Sequence, residues 1–131
     1  MAISVYHTGN PDLLVPFISS DARLIVWLGT GAKTANMNYV VMQPGESNVP
    51  HVHEVSEDTI FILEGHGSIR DYTAGTRLEF GPGDAIHLDA GIRHAVFADM
   101  GEVVVSVGGP CPADLGMLRK LGLDVDAMIG T

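Results

Sequence analysis

The chain has 131 residues, 46% of them hydrophobic, which is enough for a single globular domain with a core of its own, expected over residues 1–131. Sixteen acidic against seven basic side chains leave a net charge of −9, a poor match for nucleic acid or an anionic membrane surface. No apolar run approaches the length of a membrane span, no basic-then-apolar leader opens the chain, and the lone Cys111 has no internal disulfide partner, so a cytoplasmic protein is expected.

In chain order, the first twenty residues, with Pro11 and Pro16 flanking Leu13, Leu14 and Val15, read as an irregular or edge segment. Arg23–Leu28 and Asn36–Gln43 are rich in β-formers and read as strands, separated by the glycine loop 29–33. His51–His53 opens a third extended piece and Thr59–Leu63 a fourth. Ser68–Tyr72, Thr76–Phe80, Ala85–Leu88, Arg93–Ala98 and Val103–Val107 follow, each set off by glycine or proline turns; the last strand is expected to stop at Gly108-Gly109-Pro110. Short strands at such intervals are the mark of an all-β sandwich or barrel. The tail differs: Leu115, Leu118 and Leu121 recur at helical spacing, which predicts one short helix at about 113–122 on the outside of the barrel or against a partner chain.

The chemistry gathers between Gly45 and Gly65. In extended backbone, residues i and i+2 share a face, so His51 and His53 aim two imidazoles at one point. A carboxylate from the next strand adds a hard donor, and imidazole plus carboxylate suits a divalent first-row transition metal. Asp58 and Glu57 both stand within reach of that role.

These residues resemble the cupin superfamily in both of its diagnostic segments, over about 36–107. Gly45 is followed after five residues by His51-Val52-His53, after four more by Asp58 and after six more by Gly65; Gly83, Gly91 and His94 fall at the spacings of the second segment. Three positions depart from the pattern: Asp58 stands where glutamate is usual, Asp89 where proline is usual, and Ala98 where asparagine is usual. Counting from the histidines, Glu57 also satisfies the spacing; counting back from Gly65, only Asp58 does.

The resemblance implies a small single-domain cupin, an all-β double-stranded β-helix or jelly-roll barrel with a short C-terminal helix. It implies one metal ion (Fe, Mn, Ni, Cu or Zn) held by His51, His53, His94 and Asp58, with Glu57 as the alternative acid, and pairing into a homodimer. Substrate-pocket positions are assigned to Tyr39, Ile60, Ile62, His87 and Val96, against the ordinary readings of Tyr39 as core packing and of His87 as a solvent-facing histidine. The partner expected is a small organic molecule, and ligand type alone leans toward a dioxygenase-type oxidoreductase. The alternatives are a non-redox isomerase or polyketide cyclase, a decarboxylase, or a non-catalytic binder of a sugar or metabolite.

Overall fold

The computed structural model describes residues 3–9 and 13–129; Pro11, in the segment expected to be irregular, lies outside them. Among the described residues, nine strands form two antiparallel sheets. They are β1 (Leu13–Leu14), β2 (Asp21–Val26), β3 (Met37–Met42), β4 (Glu57–Glu64), β5 (Gly67–Asp71), β6 (Thr76–Phe80), β7 (Ala85–Leu88), β8 (His94–Ala98) and β9 (Val104–Cys111). The larger sheet runs β1-β2-β3-β9-β4-β7 and the smaller β6-β5-β8. A turn of 3₁₀ helix at Leu28–Thr30 occupies the expected glycine loop.

The two sheets face each other across a core that includes Met42, Ile62, Phe80, Leu88, Val96 and Val104. Ile62 is wholly buried, and a buried isoleucine of this kind contributes roughly 1.5–3 kcal/mol. Period-two alternation is what sorts the side chains: along β4, Asp58, Ile60 and Ile62 turn inward while Glu57, Thr59, Phe61 and Leu63 turn out.

Two expectations need correction. The last strand does not stop at Gly108. It continues through Gly109 and Pro110 to Cys111, with Gly109 opposite Thr59 and Pro110 opposite Asp58 on β4. Glycine and proline, which usually signal a turn, here serve close approach: a Cβ on Gly108, at φ +145°, would run into the backbone carbonyl of Thr59. Gly108→Ala is therefore expected to lower stability by about 2 kcal/mol or more, read as a fall in the denaturation midpoint.

The tail holds two short helices rather than one, α1 (Leu115–Lys120) and α2 (Val125–Met128). Asp114 caps the first, accepting from Met117 N, and Asp124 caps the second, accepting from Ala127 N. Gly122, at φ +81°, supplies the left-handed residue that ends α1 and turns the chain into α2. Met117, Leu118 and Val125 pack against Val15, Leu24 and Trp27 in a second core cluster, so the helices cover the β2 end of the barrel. No helix among the described residues is long and apolar enough to cross a membrane.

Candidate metal centre

His94 begins β8, and His51 is pinned beside it by an isolated antiparallel bridge: His51 N donates to His94 O and His94 N to His51 O, both at 3.0 Å. Two residues on, the carbonyl of His53 accepts from Gly91 N at 2.8 Å, which holds this stretch against the turn before β8. The three rings converge in the barrel interior with centroids 4.3–5.3 Å apart. One nitrogen of each lies within 4.8 Å of the others.

Each ring is fixed from behind through Nδ1. That of His51 faces Val49 O at 2.8 Å, that of His94 faces Ile92 O at 2.9 Å, and that of His53 faces Asp114 Oδ2 at 2.6 Å. An acceptor at Nδ1 selects the Nδ1–H tautomer of a neutral ring, which leaves the Nε2 lone pair of His51 and His94 free, while Nε2 of His53 faces Asp58. Asp58 closes the group. It is buried, its Oδ2 lies 3.3 Å from His53 Nε2, and its Oδ1 has no hydrogen-bond partner. A buried carboxylate oxygen without a partner is costly, and a bound cation would satisfy it.

The electrostatics follow from this packing. Burial pushes His51 down to about 4, and pushes His94 below the usual histidine range. Burial opposes charge on His53 as well, but its hydrogen bonds to Asp114 and Asp58 outweigh that and hold the ring up to about 9. With a carboxylate at each ring nitrogen, the metal-free His53 favours the doubly protonated ring, so a metal bound at Nε2 would displace a proton.

Ile60 and Val96 line the same cavity, together with Asn38, Val40 and Ser106. The other expected pocket positions lie elsewhere. Tyr39 faces the opposite side of β3 from Asn38, with the Arg23 guanidinium 5.3 Å from its ring centroid. Ile62 is in the core but does not line the cavity. His87 is on the outer surface of β7, because alternation that turns Ile86 and Leu88 in turns His87 out. Its Nε2 bonds Glu57 Oε1 at 2.7 Å, and Asp89 lies 3.9 Å away.

Glu57, the alternative acid, is thereby placed on the far side of β4 from the histidine cluster. Glu57, His87 and Asp89 make a second compact set of donors, but all three are exposed. Glu57→Gln is expected to leave metal affinity at the interior site unchanged, as measured by titration with a chromophoric competitor. Sequence reasoning missed Asp114, which lies 61 residues from His53. Its signal was the helix cap, which marks the residue without showing its second bond.

A two-sheet antiparallel β-barrel of this order, with a histidine cluster in its interior that fits a metal ion, defines a double-stranded β-helix. The chain belongs to the cupin domain family, whose match spans residues 38–110. By sequence it matches no curated protein. Among solved structures it is similar to the polyketide cyclase RemF from Streptomyces resistomycificus, at 21% identity and a TM-score of 0.69 over 98% of this chain and 99% of that one. A cupin 2 conserved barrel domain protein from Salinispora arenicola matches at 21% identity and a TM-score of 0.60, over 93% of this chain and 96% of that one. A predicted oxalate decarboxylase from Thermotoga maritima matches at 19% identity and a TM-score of 0.58, over 70% of this chain and 79% of that one. At these identities the likeness is one of fold.

Proposed function

We propose that the chain is a metal-dependent cupin enzyme acting on a small, largely apolar organic molecule. The observation that carries this is the tautomer lock: three interior histidines, each held at Nδ1 by an acceptor, beside the buried and half-satisfied carboxylate of Asp58. His51, His53, His94 and Asp58 would hold one divalent transition ion. Bound there, such an ion supplies Lewis acidity toward a carbonyl or enolate oxygen.

The remaining residues do the selecting. Val40, Ile60 and Val96 make a dry wall that strengthens polar contacts inside the cavity. Asp58 and Asp114 hold the proton of the metal-free site on His53 and accept the positive charge of whatever replaces it.

The reaction class we assign is oxygen-independent cyclisation or isomerisation at a carbonyl. Its support is the likeness to a polyketide cyclase along nearly the whole of both chains. Dioxygenase chemistry is the second reading, favoured by the ligand type of three histidines and one carboxylate. Turnover of a panel of β-diketones and polyketones by metal-loaded protein, run with and without oxygen, separates the two. The first reading predicts equal product under both atmospheres and no oxygen uptake. Product that forms only with oxygen overturns it in favour of the second, and no turnover of any compound favours a binding module.

A further inference from the structure

Two asparagines line the cavity, and they differ in one respect. Asn48 spends both ends on the fold: its Oδ1 accepts from Val96 N at 2.9 Å and its Nδ2 donates to Ile18 O at 2.8 Å. Asn38 is just as buried, at 5% exposure, yet its Oδ1 has no partner. Ser106, also buried, lines the same cavity from β9, two residues from the Gly108 that faces Asn38, and no hydrogen bond from its hydroxyl is present among the described residues. An unpaired carboxamide in an apolar wall is expensive, and packing alone would be served better by leucine.

The neighbourhood keeps this carboxamide free. Asn38 lies opposite Gly108 on β9, and Gly108 lies opposite Ile60 on β4, so no side chain stands between Asn38 and Ile60 along that row. A Cβ on Gly109 would sit 3.1 Å from Asn38 Nδ2 and 3.2 Å from its Cγ, so glycine there leaves the carboxamide its room. Among the described residues, no lysine or arginine lines the cavity. Away from the histidines, the site thus offers a neutral donor and acceptor in an apolar wall, with nothing to balance a second negative charge.

We propose that Asn38 and Ser106 form a polar subsite, distinct from the metal ligands, that hydrogen-bonds a hydroxyl group of an uncharged and otherwise apolar substrate, such as a phenol or alcohol. This rests on reading the cavity as the substrate site, but does not require that metal be bound. A hydroxyl both donates and accepts, as the carboxamide does, and desolvation in the barrel makes each such bond discriminating.

Phenol and toluene test this, because they differ only by hydroxyl against methyl. Their dissociation constants are measured by calorimetry for wild type, Asn38→Leu and Ser106→Ala, each metal-loaded and chelated. The ratio of phenol to toluene affinity is expected to fall about tenfold in Asn38→Leu and about threefold in Ser106→Ala, with or without metal, while toluene still binds. Ser106→Ala carries the test if Asn38→Leu does not fold. A ratio unchanged in the folded variants, or failure of wild type to bind either probe, overturns the subsite. A ratio that collapses on chelation but ignores both substitutions places the hydroxyl on the metal; the subsite then falls and the metal centre stands. An Asn38-dependent ratio in a protein that takes up no metal leaves the subsite standing and overturns the metal centre.

Discussion

His94→Ala is expected to weaken binding of Zn²⁺ or Co²⁺ by roughly 10²–10³-fold, because a four-donor zinc site is worth about 10–16 kcal/mol in all and one donor carries a sizeable share. His94 has no substitute. It is 2% exposed, its backbone is tied to His51 in both directions, and its Nδ1 is engaged by Ile92 O. Among the described residues, no other histidine lines that cavity beside His51 and His53. A water filling the space left by alanine would restore one weak ligand at most. Competition against a chromophoric chelator reads the change, and near-wild-type affinity in a folded His94→Ala protein would remove His94 from the ligand set.

Asp114→Asn is expected to cost about 10–100-fold in metal affinity without touching the cavity wall. Asp114 has two tasks: one carboxylate oxygen caps α1 at 3.1 Å from Met117 N, and the other faces His53 Nδ1 at 2.6 Å. Asparagine caps a helix about as well as aspartate, so this variant isolates the second task. With an amide in place of the carboxylate, the His53 Nδ1 proton loses its charged acceptor and the preference for a free Nε2 weakens. Asp114→Ala removes the cap as well, and adds about 1 kcal/mol of lost stability.

The same variant has a pH signature in the chelated protein. His53, raised to about 9 in the fold, contributes stability that is complete below its ordinary value of 6.5 and is lost as pH climbs through 9. His51 runs the other way: lowered to about 4, it contributes stability present above 6.5 and lost as pH falls through 4. His94, also lowered, adds to the acid side. Stability of the metal-free chain should therefore peak near pH 6.5. Asp114→Asn should flatten the alkaline limb and leave the acid limb in place, as followed by melting temperature against pH.

The convergence of His51, His53 and His94 was legible because it depends on period-two geometry and on glycine turns, both of which are local and written in spacing. The choice between Glu57 and Asp58 was half legible: alternation puts only one of them inside, but which one depends on register with β7 and β9. Tyr39 and Asn38 posed the same problem on β3, and the register put Asn38 inside. For His87 the spacing left a pocket place and an ordinary solvent-facing one open; alternation along β7, which belongs to the larger sheet, turns it outward, as the ordinary reading has it.

Other features depend on long-range contacts that no spacing records. Asp114 reaches His53 because the tail folds back over the β2 end of the barrel, driven by Met117, Leu118 and Val125. Gly108 and Gly109 read as punctuation, yet their use is to let β9 lie close against β4. The second helix was missed because four residues are too few for a periodic pattern, and its cap at Asp124 was the one local sign.

The most direct test is the metal content, by elemental analysis, of untagged protein reloaded and then desalted, beside His87→Ala and His94→Ala. His87→Ala dismantles the exposed Glu57, His87 and Asp89 set, and His94→Ala dismantles the interior one. An interior site predicts close to one equivalent of metal in wild type and in His87→Ala, and almost none in His94→Ala. Metal that survives in His94→Ala and vanishes in His87→Ala, or a wild type that stays empty after reloading, would contradict it.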